Sequence, residues 1–218
     1  MLNKHNLRLA NLATEEVSRY NLNCIKITPH ETQVTDGHFA MRITNLQTDA
    51  EALTFLGGEK EHEGEVLLDA SVASEIARLI PANRHRDSPE NKVFITGVSE
   101  QGVEIRSGSF DSKRVFVARE GRGNFPNLDI TIPQGEPVAQ VAVNLPMLIA
   151  ILQQISKSQD EERHPHVLIS LYGDEKAFRL DAYNNATEQF INVILMPLRS
   201  SDVKLGRNYP FPKKTEDK

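Results

Sequence analysis

Residues 64–80, GEVLLDASVASEIARLI, align without a gap on residues 139–155, AQVAVNLPMLIAILQQI, after a shift of 75 residues. Leu68 meets Val143, Val72 meets Met147, Ile76 meets Ile151 and Ile80 meets Ile155. The same shift carries Val93 onto Leu168, Val103 onto Phe178, Ile105 onto Leu180 and Phe116 onto Ile191. A chain that repeats itself in this way folds as similar modules, each small, which must close their apolar faces against one another.

The shared pattern predicts the module. An alternating strand around Val66 and Leu68 ends at Asp69, a good helix N-cap. Val72, Ala73, Ile76, Leu79 and Ile80 then recur at helical spacing, and Pro81 stops the helix. Strands follow at KVFITGV, GVEIRSG and KRVFVARE. In the second copy Asn144 is the cap, Met147, Leu148, Ile151 and Ile155 form the helical face, and the strands are HVLISLY, AFRLDAY and QFINVILMP. Each half-unit therefore reads β-α-β-β-β. A more divergent copy opens the chain: Leu9, Leu12, Ala13, Val17 and Tyr20 share a helical face, and NCIKITP, ETQVTDG and HFAMRIT follow as strands, with no leading strand. Two half-units side by side are expected to merge their sheets and lay both helices on one face.

This gives a domain over 1–133, with half-units at about 5–45 and 64–120, a third half-unit over 134–199, and a flexible tail over 200–218. A polar, glycine-containing loop over 47–65 and a proline-bearing extended linker over 124–140 separate the copies.

Composition narrows the function. A single cysteine, Cys24, excludes an internal disulfide and a multi-cysteine zinc site. No apolar run has membrane-spanning length, the N-terminus has no signal-peptide core, and the cytoplasm is the expected compartment. There is no phosphate-binding loop, metal cluster or nucleophile motif, so neither an enzyme nor a cofactor is expected. The net charge of −5 argues against a surface coated in nucleic acid, but leaves room for one basic face. Such a face would collect Arg8, Asn11, Glu15 and Arg19 on the first helix. Ser71, Ser74, Glu75 and Arg78 stand on the second, with Arg84-His85-Arg86 beyond, and Gln153, Gln154 and Lys157 on the third. It suits loose phosphate contacts, and equally any solvated helix face.

The stretch VTDGHFAMRI, residues 34–43, sets Asp36-Gly37-His38 between alternating apolar positions. Glycine supplies the positive φ of a tight turn, and a lone Asp-Gly-His has no further ligands for a metal. It reads as a hairpin corner.

TDGH at 35–38, FPN at 125–127 before Ile132-Pro133, and VILMPLR at 193–199 together resemble the bacterial DNA polymerase III beta subunit, the sliding clamp, over most of residues 5–199. The resemblance implies an α+β DNA-clamp fold of repeated β-α-β-β-β half-domains, antiparallel sheets with helices on one face. It implies a processivity factor that holds double-stranded DNA without reading sequence, through Arg8, Arg19, Arg78, Arg84, Arg86 and Lys157. It also implies a homo-oligomer, and an apolar groove for peptide motifs of polymerases and repair proteins. Thr35, Gly37, His38, Phe39, Ala40 and Val93 would form one wall of that groove. Ile194, Met196, Pro197, Leu198 and Arg199 would form the other. The alternative is a clamp-derived adaptor that binds proteins without encircling DNA. The chain departs from the family in having three half-units where clamps have six, in Phe39 and Ala40 after the TDGH corner, and in a 19-residue tail whose Leu205, Tyr209 and Phe211 could enter the groove.

Overall fold

The computed structural model describes residues 1–14, 20–80, 92–109, 112–121, 123–131, 133, 137–159, 165–174, 176–185 and 187–198. The chain divides into two compact units, Met1–Ile132 and Pro133–Lys218.

Unit 1 opens with a two-residue strand, β1 (Leu2–Asn3), running directly into helix α1 (Lys4–Arg8). Asn3 caps the helix: its side chain accepts from the backbone N–H of His5 and Asn6, and Asn6 reaches back to the N–H of Asn3. The chain continues through a 3-10 turn, Leu9–Leu12, and leaves helical geometry at Ala13. Three strands follow: β2 (Cys24–Ile27), β3 (Glu31–Thr35) and β4 (Ala40–Thr44). A short helix, α2 (Ala50–Phe55), precedes the second half-unit, made of β5 (Val66–Asp69), α3 (Ala70–Leu79), β6 (Lys92–Ser99), β7 (Gly102–Ser109) and β8 (Ser112–Ala118).

The two halves exchange their leading strands. β1 pairs antiparallel with β6, Leu2 opposite Val93, giving a sheet in the order β1-β6-β7-β8. β5 pairs antiparallel with β2, Leu68 opposite Ile25, giving the order β4-β3-β2-β5. Helices α1 and α3 pack together, and one core draws on both sheets and both helices: Leu2, Leu7, Ile25, Leu68, Ala73, Ala77, Val93 and Ile105 all lie in it.

Several expectations change. The first half-unit does have a leading strand, which is defined only by its pairing with a residue some ninety positions away. The sheets stay as two, each completed by the other half's strand, and a single antiparallel bridge between Leu68 of β5 and Glu120, just past β8, joins their edges. The first helix starts one turn earlier than its apolar spacing suggests. Its Asn3 cap sets a phase that buries Leu7, Leu9 and Ala10 and leaves Leu12 exposed; Val17 lies outside the described residues. The loop over 47–65 contains α2, capped by Asp49, whose Leu53 and Leu56 cover Phe94 together with Met1. The linker over 124–140 contains a 3-10 turn at Leu128–Thr131.

Unit 2 carries one half-unit. An isolated antiparallel bridge joins Ala142 to Leu198 where the leading strand is expected. Asn144 then caps α4 (Leu145–Ser158), accepting from the N–H of Met147, and Pro146 stands in the first turn where no N–H is needed. The strands β9 (Leu168–Ser170), β10 (Phe178–Asn184) and β11 (Gln189–Leu195) form a sheet in the order β11-β10-β9. Ile155, Phe178, Leu180, Ala182 and Leu195 make its core, with Leu148 and Ile151 against it. The end of α4 is fixed by buried Gln159, whose side-chain amide donates to the carbonyl of Tyr183 at 2.8 Å.

Candidate functional site

The Asp36 corner is built by local hydrogen bonds. β3 and β4 are in register with Thr35 opposite Ala40 and Val34 opposite Met41. Residues 36–39 make the connection, and Gly37 has φ +95°, a left-handed conformation that suits glycine. The Asp36 carboxylate accepts from the backbone N–H of His38 at 2.8 Å and of Phe39 at 3.0 Å. The His38 N–H bond is the main reason that the carboxyl sits below its usual range. Buried Thr35 accepts from the Gly37 N–H at 3.1 Å and donates to the Phe39 carbonyl. The Asp36 carboxylate and Thr35 hydroxyl thus serve the turn, while His38, Phe39 and Ala40 are presented to solvent.

The second set of groove residues belongs to unit 2. Ile194 and Met196 are strongly exposed, Leu198 is exposed and Pro197 half-buried, at and after the end of β11. Leu198 is held by its N–H donating to the Ala142 carbonyl at 2.8 Å. Arg199 lies outside the described residues. Val93 is a correction. Fully buried in the core of unit 1 between Leu2 and Ser107, it packs the fold and offers no surface to a ligand.

On the helices of unit 1, Arg8 and Arg78 are exposed, as are Asn11, Ser71 and Glu75. The Asn11 and Ser74 side chains bond across the helix pair at 2.9 Å. Lys4 has turned inward: it is buried, and its ammonium donates to the carbonyl of Ile80, the residue closing α3. Burial, and then the Arg8 charge, lower its pKa. One cation is therefore spent on a helix C-terminus, where it is favourable. Its sequence signal is only its place one residue after a cap, and the residue reading overlooked it. In unit 2, Lys157 is exposed in the last turn of α4. Arg19, Arg84, Arg86 and the tail residues Leu205, Tyr209 and Phe211 lie outside the described residues.

No group of three or more metal-binding side chains gathers among the described residues, and no helix among them is long and apolar enough to cross a membrane. A cleft of about 340 Å³ opens elsewhere in unit 1, lined by Thr28, Asn45, Thr48, Glu61 and His62 among others. It does not include the Asp36 corner.

No protein-family model matches the chain, and no curated protein matches it. Solved structures do. The DNA polymerase III subunit beta of Borrelia burgdorferi, solved with a natural product, superposes with a TM-score of 0.61 at 14% identity, covering 88% of this chain and 45% of that one. The beta subunit of Streptococcus pyogenes DNA polymerase gives a TM-score of 0.64 at 16% identity, over 90% of this chain and 49% of that one. The DNA polymerase III beta chain of Streptococcus pneumoniae gives 0.61 at 16% identity, over 90% and 48%. The chain spans about half the length of the structures it matches, and over that span it has the fold of the bacterial DNA polymerase III beta subunit.

Proposed function

We propose that the chain acts as a sliding-clamp-like processivity factor, associating with double-stranded DNA without sequence preference and receiving partner peptides in an apolar groove. The observation that carries this reading is the fold: paired half-units with exchanged strands and adjacent helices, superposable on clamp subunits over about 90% of the chain. Peptide contact is proposed for Thr35, Gly37, His38, Phe39 and Ala40 of unit 1, and for Ile194, Met196, Pro197, Leu198 and Arg199 of unit 2. Exposed Phe39, Ile194 and Met196 are chemically suited to it, because flexible apolar side chains adapt to several peptides. Phe39 and Ala40, in place of the family's Arg and Leu, would alter which peptides fit. Arg8, Arg78 and Lys157, with Arg19, Arg84 and Arg86, would supply the phosphate contacts.

A specific observation favours a second reading, a protein-binding adaptor that does not encircle DNA. The helix pair of unit 1 presents only Arg8 and Arg78 as exposed cations among its described residues, with Glu75 beside them, and Lys4 is buried. Two measurements separate the readings. A clamp is retained on nicked circular duplex and slides off once that duplex is linearised, with binding that falls steeply as salt rises. An adaptor shows no such retention, yet binds a short peptide carrying the clamp-binding motif of a bacterial polymerase. Binding to neither would end both readings. Deleting 200–218 raises peptide affinity if the tail competes for the groove.

A further inference from the structure

Unit 1 shows how two half-units satisfy each other, and unit 2 contains one half-unit whose β9 edge and outer α4 face are exposed, with Val141 and Val143 half-buried against its own core. In unit 1 the residue before each N-cap pairs with the first strand after the other half's helix: Leu2 with Val93, and Leu68 with Ile25. The repeat places Val143 and Leu168 at those positions in unit 2. Among the described residues β9 is an edge strand bonded to β10 alone, and the chain at Val141–Val143 has the Leu198 bridge on one side only. Leu168 is 63% exposed and Ile169 53%. Neither lysine nor proline guards this edge over 167–172, although natural edge strands are usually blunted by such residues.

The helices agree. Ser74 of α3 bonds to Asn11 of the opposite half, and Ala77 is buried in the core that both halves share. Their counterparts on α4 are Ile149 and Leu152, both exposed. With Leu145 they form a stripe at helical spacing, distinct from the Ile151–Ile155 face that covers the sheet of unit 2. A solvated helix does not need two apolar faces. Unit 1 has no half to lend, because its leading strands are already exchanged with each other.

We infer that unit 2 is half of a domain completed by unit 2 of a second copy of this chain, the two exchanging their 141–143 segments and packing α4 against α4. The arrangement is isologous: Val143 of each copy meets Leu168 of the other, antiparallel, as Leu68 meets Ile25 in unit 1. Such an interface is a domain core cut in half, the kind found in permanent dimers. The inference rests on the fold and is independent of whether DNA is bound.

The test uses the full chain. Light scattering is expected to give twice 24.5 kDa, and Ile149→Glu and Leu152→Glu each to raise the dimer dissociation constant at least about tenfold. The register is read separately. Chains carrying Val143→Cys are mixed with chains carrying Leu168→Cys and oxidised. Directly opposed strand residues lie within disulfide range, so a covalent dimer forms in the mixture and not in either chain alone. Cys24 does not compete, being buried with its thiol pKa pushed up. Should a charged variant fail to fold by circular dichroism, the cross-link decides alone. A monomer at every concentration would overturn the inference. So would a dimer that forms no 143–168 cross-link, or one that appears only after residues 200–218 are removed, since the tail would then be what covers the face.

Discussion

Val93 in unit 1 and Leu168 in unit 2 occupy the same place in the half-unit, yet one is 0% and the other 63% exposed. Ile105 and Leu180, also equivalent, are both fully buried. The difference sorts the positions. The strand positions Val103, Ile105, Phe178 and Leu180, which face the half-unit's own helix, are buried in both units, whereas Val93, paired with the other half, has an exposed counterpart in Leu168. A half-unit therefore has a private core, which it closes alone, and a shared one, which needs a partner. Its leading strand belongs to the shared part. Val66–Asp69 is a full strand because β2 pairs with it, whereas the equivalent stretch of unit 2 makes a single bridge.

The sharpest way to break this division is truncation at equivalent shared positions. Leu68→Ala, at a fully buried site, is expected to cost unit 1 about 2–5 kcal/mol. Val143→Ala, at a half-buried site, should cost unit 2 less than half as much in a monomer. Hydrogen exchange followed by mass spectrometry, read for each unit in urea, separates the two. Equal losses would mean that the leading strand is structured the same way in both units.

Enlarging a shared position gives a smaller effect of opposite logic. Ala77 is buried in the core that both halves of unit 1 share, so Ala77→Leu is expected to overpack it and destabilise unit 1 by about 1–3 kcal/mol. The reciprocal change, Leu152→Ala, should lower the urea midpoint of unit 2 in a concentration-dependent way, through the dimer. A midpoint that ignores concentration would place Leu152 in the private core.

The caps should not tell the units apart. Asn3 and Asp69 each end a leading strand, Asn144 follows the bridged segment of unit 2, and all three accept backbone N–H bonds from the helix that follows. Asp69→Ala and Asn144→Ala are each expected to cost about 1 kcal/mol, because capping is local. A clear inequality, measured by the same exchange experiment, would show that the helix–partner contact contributes to the cap.

Two of these caps, Asp69 and Asn144, were also what the sequence made most legible. Asp69 and Asn144 stand at the strand–helix junctions in register with the repeat, and the private core follows from strict periodicity at Val103, Ile105, Phe178 and Leu180. The shared core was hidden, since a strand of two residues such as Leu2–Asn3 has no period to detect and exists only through Val93. Helix α1 was misphased for a related reason: its cap, not its leucines, sets where it begins. At the candidate groove, the hairpin turn could be read from Asp36-Gly37, because turn chemistry is local. That Val93 is core and Lys4 a helix-closing cation could not, because both depend on residues far along the chain.

Acid gives the smallest and most local comparison. Asp36, Asp49 and Glu104, all in unit 1, have carboxyl pKa values below their ordinary range: Asp36 chiefly through the His38 N–H, Asp49 through the Lys92 ammonium, and Glu104 through the Thr96 hydroxyl and then Arg106. A carboxyl depressed in the folded state binds its proton more weakly there than in the unfolded chain. Its contribution is therefore present above the unfolded value and lost as pH falls below about 4, through the folded value. All three groups are open to solvent, so the contribution of each is small and screened by salt. Asp49→Asn should lower the urea midpoint of unit 1 at neutral pH, converge on the unsubstituted chain as pH drops below about 4, and leave unit 2 unchanged throughout. A substitution effect that persists undiminished in acid would show that the Lys92–Asp49 ion pair is not its source, since asparagine keeps the oxygen that caps α2.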